Sequence, residues 1–139
     1  MIRGISEDEI DALIPKATEG FYSQQNFIVR QDKVRSAVIE GITNGYCRIY
    51  EHDGEFCGFL IAHVHEMLFF DRLQATIVGI QSWKHGAGDA LLKDFKEWVD
   101  SDPFIRMACW QNDTADKRID RFMAANGFES STGYSYIKE

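Results

Sequence analysis

Apolar residues recur at helical spacing most strongly in one stretch, where Leu91, Leu92, Phe95, Trp98 and Val99 form a stripe and Asp89, Lys93, Lys96, Glu97 and Asp100 cover the remaining faces. That period predicts an amphipathic helix, and Pro103 ends it. Near the N-terminus, Ser6 and Glu9 have capping-box spacing and Ile5 and Ile10 staple spacing. A helix is expected from Ser6, burying Ile10, Leu13 and Ile14 and stopping near Pro15. The stretch 17–25 reads as a further helical turn or two. From Lys33 to about Thr43, the positions Val34, Ala37, Val38 and Gly41 predict another helix, with Asn44-Gly45 as its stop. Thr114 to about Ala125 predicts a last helix, closed by Gly127-Phe128, with Asp113 and Asp116 capping its start.

Between the helices the pattern changes to strands. Ile2-Arg3-Gly4 reads as a short first strand. YCRIYE and FCGFLIAHVHE flank an Asp53-Gly54 turn and predict a hairpin. LQATIVGIQSW is a further β-branched run after a turn at FFDR, FIRMACW a buried strand, and GYSYIKE a last one. The order is β-α-α-β-β-β-α-β-α-β, and its strand–loop–helix–strand middle is a parallel crossover unit.

Composition narrows the class. With 139 residues, 45% of them apolar, and no linker or repeat, the chain is expected to form one domain over residues 1–139. It shows no signal-peptide pattern and no apolar run near the ~20 residues needed to span a bilayer, so a cytoplasmic protein without a membrane partner is expected. Cys47, Cys57 and Cys109 are scattered among apolar neighbours and read as buried free thiols. A net charge of −7 argues against nucleic-acid binding and suits a cationic partner such as an amine. A homodimer stays open.

The chemistry starts at SWKHGAGDALL, residues 82–92, where Gly86 and Gly88 flank Ala87 just before the strongest helix and Lys84 and His85 add positive character. Such a turn lets a phosphate approach the free N–H groups of the first helical turn, although a plain left-handed turn would also use these glycines. Neither a Walker-type loop nor a dinucleotide fingerprint is present.

In context these residues resemble the Gcn5-related N-acetyltransferase (GNAT) family. The strand ending in IQSW, the loop KHGAGDALL, the strand ending in WQND and the helix running into NGF occur in that family's order. The family's signature, Gln/Arg-x-x-Gly-x-Gly/Ala before a Leu-rich helix, falls on Trp83 to Gly88, and Asn112, Gly127 and Phe128 match a second element. In size the chain is most similar to small members encoded by bacteriophages, which would place it in a host-cell cytoplasm.

The resemblance implies an α/β (α+β) acyl-CoA N-acyltransferase fold: a mixed, mostly antiparallel sheet with a central parallel pair and helices on both faces. It implies acetyl-CoA as acyl donor, with pantetheine along Val78, Gly79 and Ile80, pyrophosphate on the amides of Lys84, His85, Gly86, Ala87, Gly88 and Asp89, and Asn112 facing the pantetheine. Trp83 would pack on the cofactor or cover the sheet edge. The acceptor would be a small-molecule or protein amine.

Two positions depart from the family. Trp83 stands where Gln or Arg is usual, and Met123 stands where many members carry the tyrosine that protonates the leaving thiolate. These departures keep open a catalytically inactive GNAT-fold protein that serves as a binding or interaction module. For a base, His63 and His65 share one face of a strand and either serve the acceptor or are ordinary strand histidines. No third ligand joins them, so no metal is expected. Tyr134 and Tyr136 share a face of the last strand and offer hydroxyls or simple packing.

Overall fold

The computed structural model describes the chain except residues 22–26, 112–116, 131–135 and 139. In chain order the elements are β1 (Ile2–Gly4), α1 (Glu7–Gly20), α2 (Gln31–Asn44), β2 (Gly45–His52), β3 (Glu55–Glu66), β4 (Leu73–Ser82), α3 (Ala87–Ser101), β5 (Ile105–Trp110) and α4 (Lys117–Ala125). The strands form one sheet in the order β1-β2-β3-β4-β5, antiparallel except for the parallel pair β4–β5. A parallel pair needs a long crossover, and α3 supplies it.

Strand alternation places a core on each face of the sheet. Phe59 and Ile61 of β3 and Ile49 of β2 face α1 and α2, where Ile10, Leu13, Ile14, Ala17, Val34 and Val38 meet them. The intervening Leu60 and Ala62, with Tyr46, Ala75 and Ile77, face Leu91, Leu92 and Phe95 of α3. Tyr46 donates its hydroxyl to Asp94 of α3 (2.7 Å), which also takes Arg48 (2.7 Å). Burial, and then the bond to that carboxylate, raise the Tyr46 phenol well above its ordinary range.

Local signals govern several boundaries. Ser6 and Glu9 form the capping box. Asp53 and Gly54 both take positive φ (52° and 79°), as the tight turn between β2 and β3 requires. Helix α4 ends in a Schellman arrangement: Gly127 has φ 85°, its N–H donates to Ala124 (3.1 Å), and the Phe128 N–H donates to Met123 (3.0 Å).

Two expectations need correction. Helix α1 does not stop near Pro15 but continues to Gly20, taking in the first part of the expected second helical stretch. Proline removes one backbone bond, yet the stripe continues into Ala17, which is fully buried, and the Thr18 hydroxyl donates to the Ile14 carbonyl (2.7 Å). Asp11, whose carbonyl loses its partner at Pro15, anchors its side chain on Arg35 of α2. The expected last strand is not formed at Tyr136, Ile137 or Lys138; the rest of GYSYIKE lies outside the described residues. Tyr136 is 90% exposed, and β4–β5 lies at one end of the described sheet.

Candidate active site

The site begins as an irregularity in β4. Its register against β3 shifts, so that Ile61 faces Gly79 while Ala62 faces Ile77, and Val78 is left over as a bulge. On the other side of β4, pairing with β5 runs only from Leu73 to Ile77 and ends at the pair Ile77–Trp110. The last five residues of β4, Val78 to Ser82, therefore present an edge that β5 does not cover. The bulge and the edge uncovered by β5 coincide at Val78, Gly79 and Ile80.

The loop after β4 leads to the N-terminus of α3. Gly86 caps that helix with φ 87°, and a Cβ built there would meet nothing within 4 Å. Two of the expected phosphate-facing amides are already engaged: Ala87 N–H donates to the Lys84 carbonyl (3.1 Å) and Gly88 N–H to the Ser82 hydroxyl (3.2 Å). The first i→i−4 bond runs from Ala90 to Gly86 (3.1 Å), leaving the amides of Lys84, His85, Gly86 and Asp89 without an acceptor among the described residues. The Asp89 carboxylate accepts from the Asn126 side chain (3.1 Å) and, with Lys96 donating to the Asn126 carbonyl (2.6 Å), joins α3 to the end of α4.

Trp83 turns away from these amides. Its ring packs on Phe59 (centroids 5.6 Å apart) under the Lys16 ammonium (4.3 Å), and the Trp83 backbone N–H donates to the Cys57 carbonyl (2.7 Å). The indole thus covers the α1 face of the sheet, the second of the two expected placements. Met123 packs on the α3-side core, its carbonyl held in the cap of α4, so no proton donor stands at this position. Asn112 and Tyr134, and the capping residues Asp113 and Asp116, lie outside the described residues.

His63 and His65 do share a face, the one toward α1 and α2, but their surroundings differ. His63 Nε2 donates to the Ala37 carbonyl (2.9 Å) and tethers α2 to the sheet. His65 donates from Nδ1 to Glu66 (3.2 Å), which directs its basic Nε2 at the Thr76 hydroxyl (2.9 Å). Thr76 lies 3.5 Å from Cys109 Sγ, and Gln74 reaches both (3.2 and 2.8 Å). The Thr76–Cys109 pair is the last but one before β5 leaves β4. No local pattern signals this network, because Thr76 and Cys109 are 33 residues apart. Among the described residues no cluster of three or more His, Cys, Asp or Glu suits a metal ion.

On the same face, a pocket of about 290 Å³ opens at the bulge, walled by Phe21, Val29, Val34, Ile61 and Val78. A larger hollow of about 480 Å³, bounded by Lys16, His52, Trp83 and Lys84, borders the start of the loop and shares no residue with the pocket at the bulge. The smaller pocket is the one placed for chemistry at the β4 edge.

This architecture is that of the GNAT acyltransferases, and the chain carries their fold. It superposes over its whole length on an aminoglycoside acetyltransferase, meta-AAC0020, from an uncultured soil metagenomic sample, solved with sisomicin (TM-score 0.72, 15% identity, 96% of that chain). It superposes equally completely on the aminoglycoside 6'-N-acetyltransferase AAC(6')-IG of Acinetobacter haemolyticus (TM-score 0.75, 11% identity, 97% of that chain). A transcriptional regulator from Bacillus halodurans C-125 is as similar (TM-score 0.76, 15% identity, 99% of that chain). The sequence itself matches no protein-family model and no curated protein. Among the described residues, no helix is long and apolar enough to cross a membrane.

Proposed function

We propose that the protein is an acetyl-CoA-dependent N-acetyltransferase acting on a small-molecule amine. The observation that carries this reading is the coincidence of the Val78 bulge, the β4 edge that β5 leaves uncovered beyond Ile77, and the Gly86 loop at the end of the same strand. The residues fit the donor. The free edge offers backbone N–H and C=O groups to an amide-bearing arm, and the open space beside Gly86 admits a phosphate to the unengaged amides of the loop. Lys84 and His85 add positive character there, whereas the Asp89 carboxylate, held by Asn126, opposes it.

Bound, acetyl-CoA supplies an activated thioester, whose acyl carbon is taken by the amine nitrogen as the C–S bond breaks and the thiol leaves with a proton. The chain must remove a proton from the acceptor. His65 is the candidate base, acting through Thr76, whose hydroxyl donates to His65 Nε2 while accepting from the amine. His63, with Nε2 committed to Ala37, is assigned to structure. A calorimetric titration with acetyl-CoA tests the reading. Micromolar binding followed by amine-dependent thiol release supports it, and no binding at millimolar concentration overturns it.

Met123 favours a second reading, a GNAT-fold binding module without turnover, since it leaves no acid where the family's tyrosine stands. The superposition on a transcriptional regulator illustrates how one fold hosts different functions. CoA binding without thiol release for any amine would select it.

A further inference from the structure

The pocket at the bulge carries information about the acceptor, an inference that rests on the transferase reading above. Its wall is apolar: Phe21, Val34, Ile61 and Val78 offer neither acceptors nor charges. Among the described residues, two charged side chains line it, and both are cations, Arg30 and Lys33. Arg30 is held by Asp32 through two hydrogen bonds (3.0 and 2.6 Å), although both partners are more than 60% exposed, which leaves Lys33 as the cation open to a carboxylate. Lys33 has no ion-pair partner among the described residues.

The two cations also stand at the wrong end of a helix for their own comfort. Arg30 is the N-cap of α2 and Lys33 lies in its first turn, where the backbone dipole favours negative charge. Arg30 contributes no side-chain cap. A bound anion would relieve both features. The volume, about 290 Å³, falls at the low end of the ~300–1,000 Å³ usual for small-molecule sites, which suits a molecule about the size of an amino acid.

We infer that the acceptor is a small primary amine with an apolar body and a carboxylate, of the apolar amino-acid class. The apolar body fills the wall from Phe21 to Val78, and the carboxylate meets Lys33, with Arg30 beside it. A polycationic aminosugar such as the sisomicin bound by the metagenomic acetyltransferase would meet two like charges and, among the described residues, no carboxylate in this lining. The protein's overall charge of −7 therefore does not set the charge of its acceptor.

The test measures thiol release from acetyl-CoA with L-phenylalanine, with phenethylamine, which lacks only the carboxylate, and with sisomicin, on the full chain and on Lys33→Gln. Because Lys33 is exposed, the variant folds. We expect kcat/KM for L-phenylalanine to exceed that for phenethylamine about tenfold or more, the size of a charge-assisted contact, and Lys33→Gln to erase the preference through KM. Phenethylamine or sisomicin used as well as L-phenylalanine overturns the inference while leaving the transferase reading intact. If CoA binds but no amine turns over, saturation-transfer NMR with N-acetyl-L-phenylalanine decides: a signal that requires Lys33 supports the inference, and no signal overturns it. Failure to bind CoA at all overturns the transferase reading, and the inference with it.

Discussion

Glu9 shows how one side chain can link sequence pattern, fold and pH response. Its carboxylate takes both terminal nitrogens of Arg3 (2.7 and 2.6 Å) and the Ser6 backbone N–H (3.1 Å). Arg3 first, and then the Ser6 amide, hold its pKa down from 4.5 to about 2. A lowered folded-state value means stability that is present above pH 4.5 and lost as pH falls toward 2. Glu9→Gln is therefore expected to unfold at lower denaturant than the parent at pH 7, with the gap closing across that acid window. Cys47 offers a second check, since burial pushes its thiol up to about 12. Alkylation followed by mass spectrometry should label Cys109, which is half-buried, before Cys47. At the β4–β5 junction, His65→Ala should lower kcat about 100-fold or more and remove the acid limb of the pH profile. His63→Ala should instead lower stability, because it frees α2 from the sheet.

The loop and its helix make a different kind of prediction. Gly86 sits at φ 87° in open space, so any side chain there is strained by conformation and then projects where a phosphate would approach. Gly86→Val should cost about 1–2 kcal/mol or more in stability and abolish CoA binding in calorimetry. Gly54, at φ 79° and equally open in the β2–β3 turn, is the control. Gly54→Val should lose comparable stability and keep CoA affinity. Helix α1 illustrates the limit of local signals: proline spacing predicts a stop, but the helix runs on through one lost backbone bond to bury Ala17 completely against the sheet.

Across the molecule, the single sheet separates two cores, one under α1 and α2 and one under α3. Phe59 and Phe95, both fully buried, represent the two. Each Phe→Ala change should cost about 3–5 kcal/mol. If the sheet couples the faces, both variants will show one shifted unfolding transition by fluorescence and by circular dichroism alike. A biphasic transition in either would mean that the two faces melt separately.

Much of the architecture was legible in advance because it is written in short-range spacing. Ser6 and Glu9, the Asp53-Gly54 turn, the α3 stripe and the Gly127-Phe128 cap each depend on residues a turn or two apart, and each is found where its spacing predicts. The likeness of the Trp83–Gly88 loop to the GNAT signature pointed correctly to the fold. What the chain could not disclose locally was long-range. The bulge at Val78 exists only in the register between β3 and β4, and the free edge only because β5 departs after Ile77. The direction of Trp83 was decided by Phe59 and Lys16, the difference between His63 and His65 by Ala37 and Thr76, and the charge of the pocket by which helix end meets the bulge. Capping and periodicity are settled within one helical turn, whereas pairing register and pocket lining are settled by packing between segments tens of residues apart.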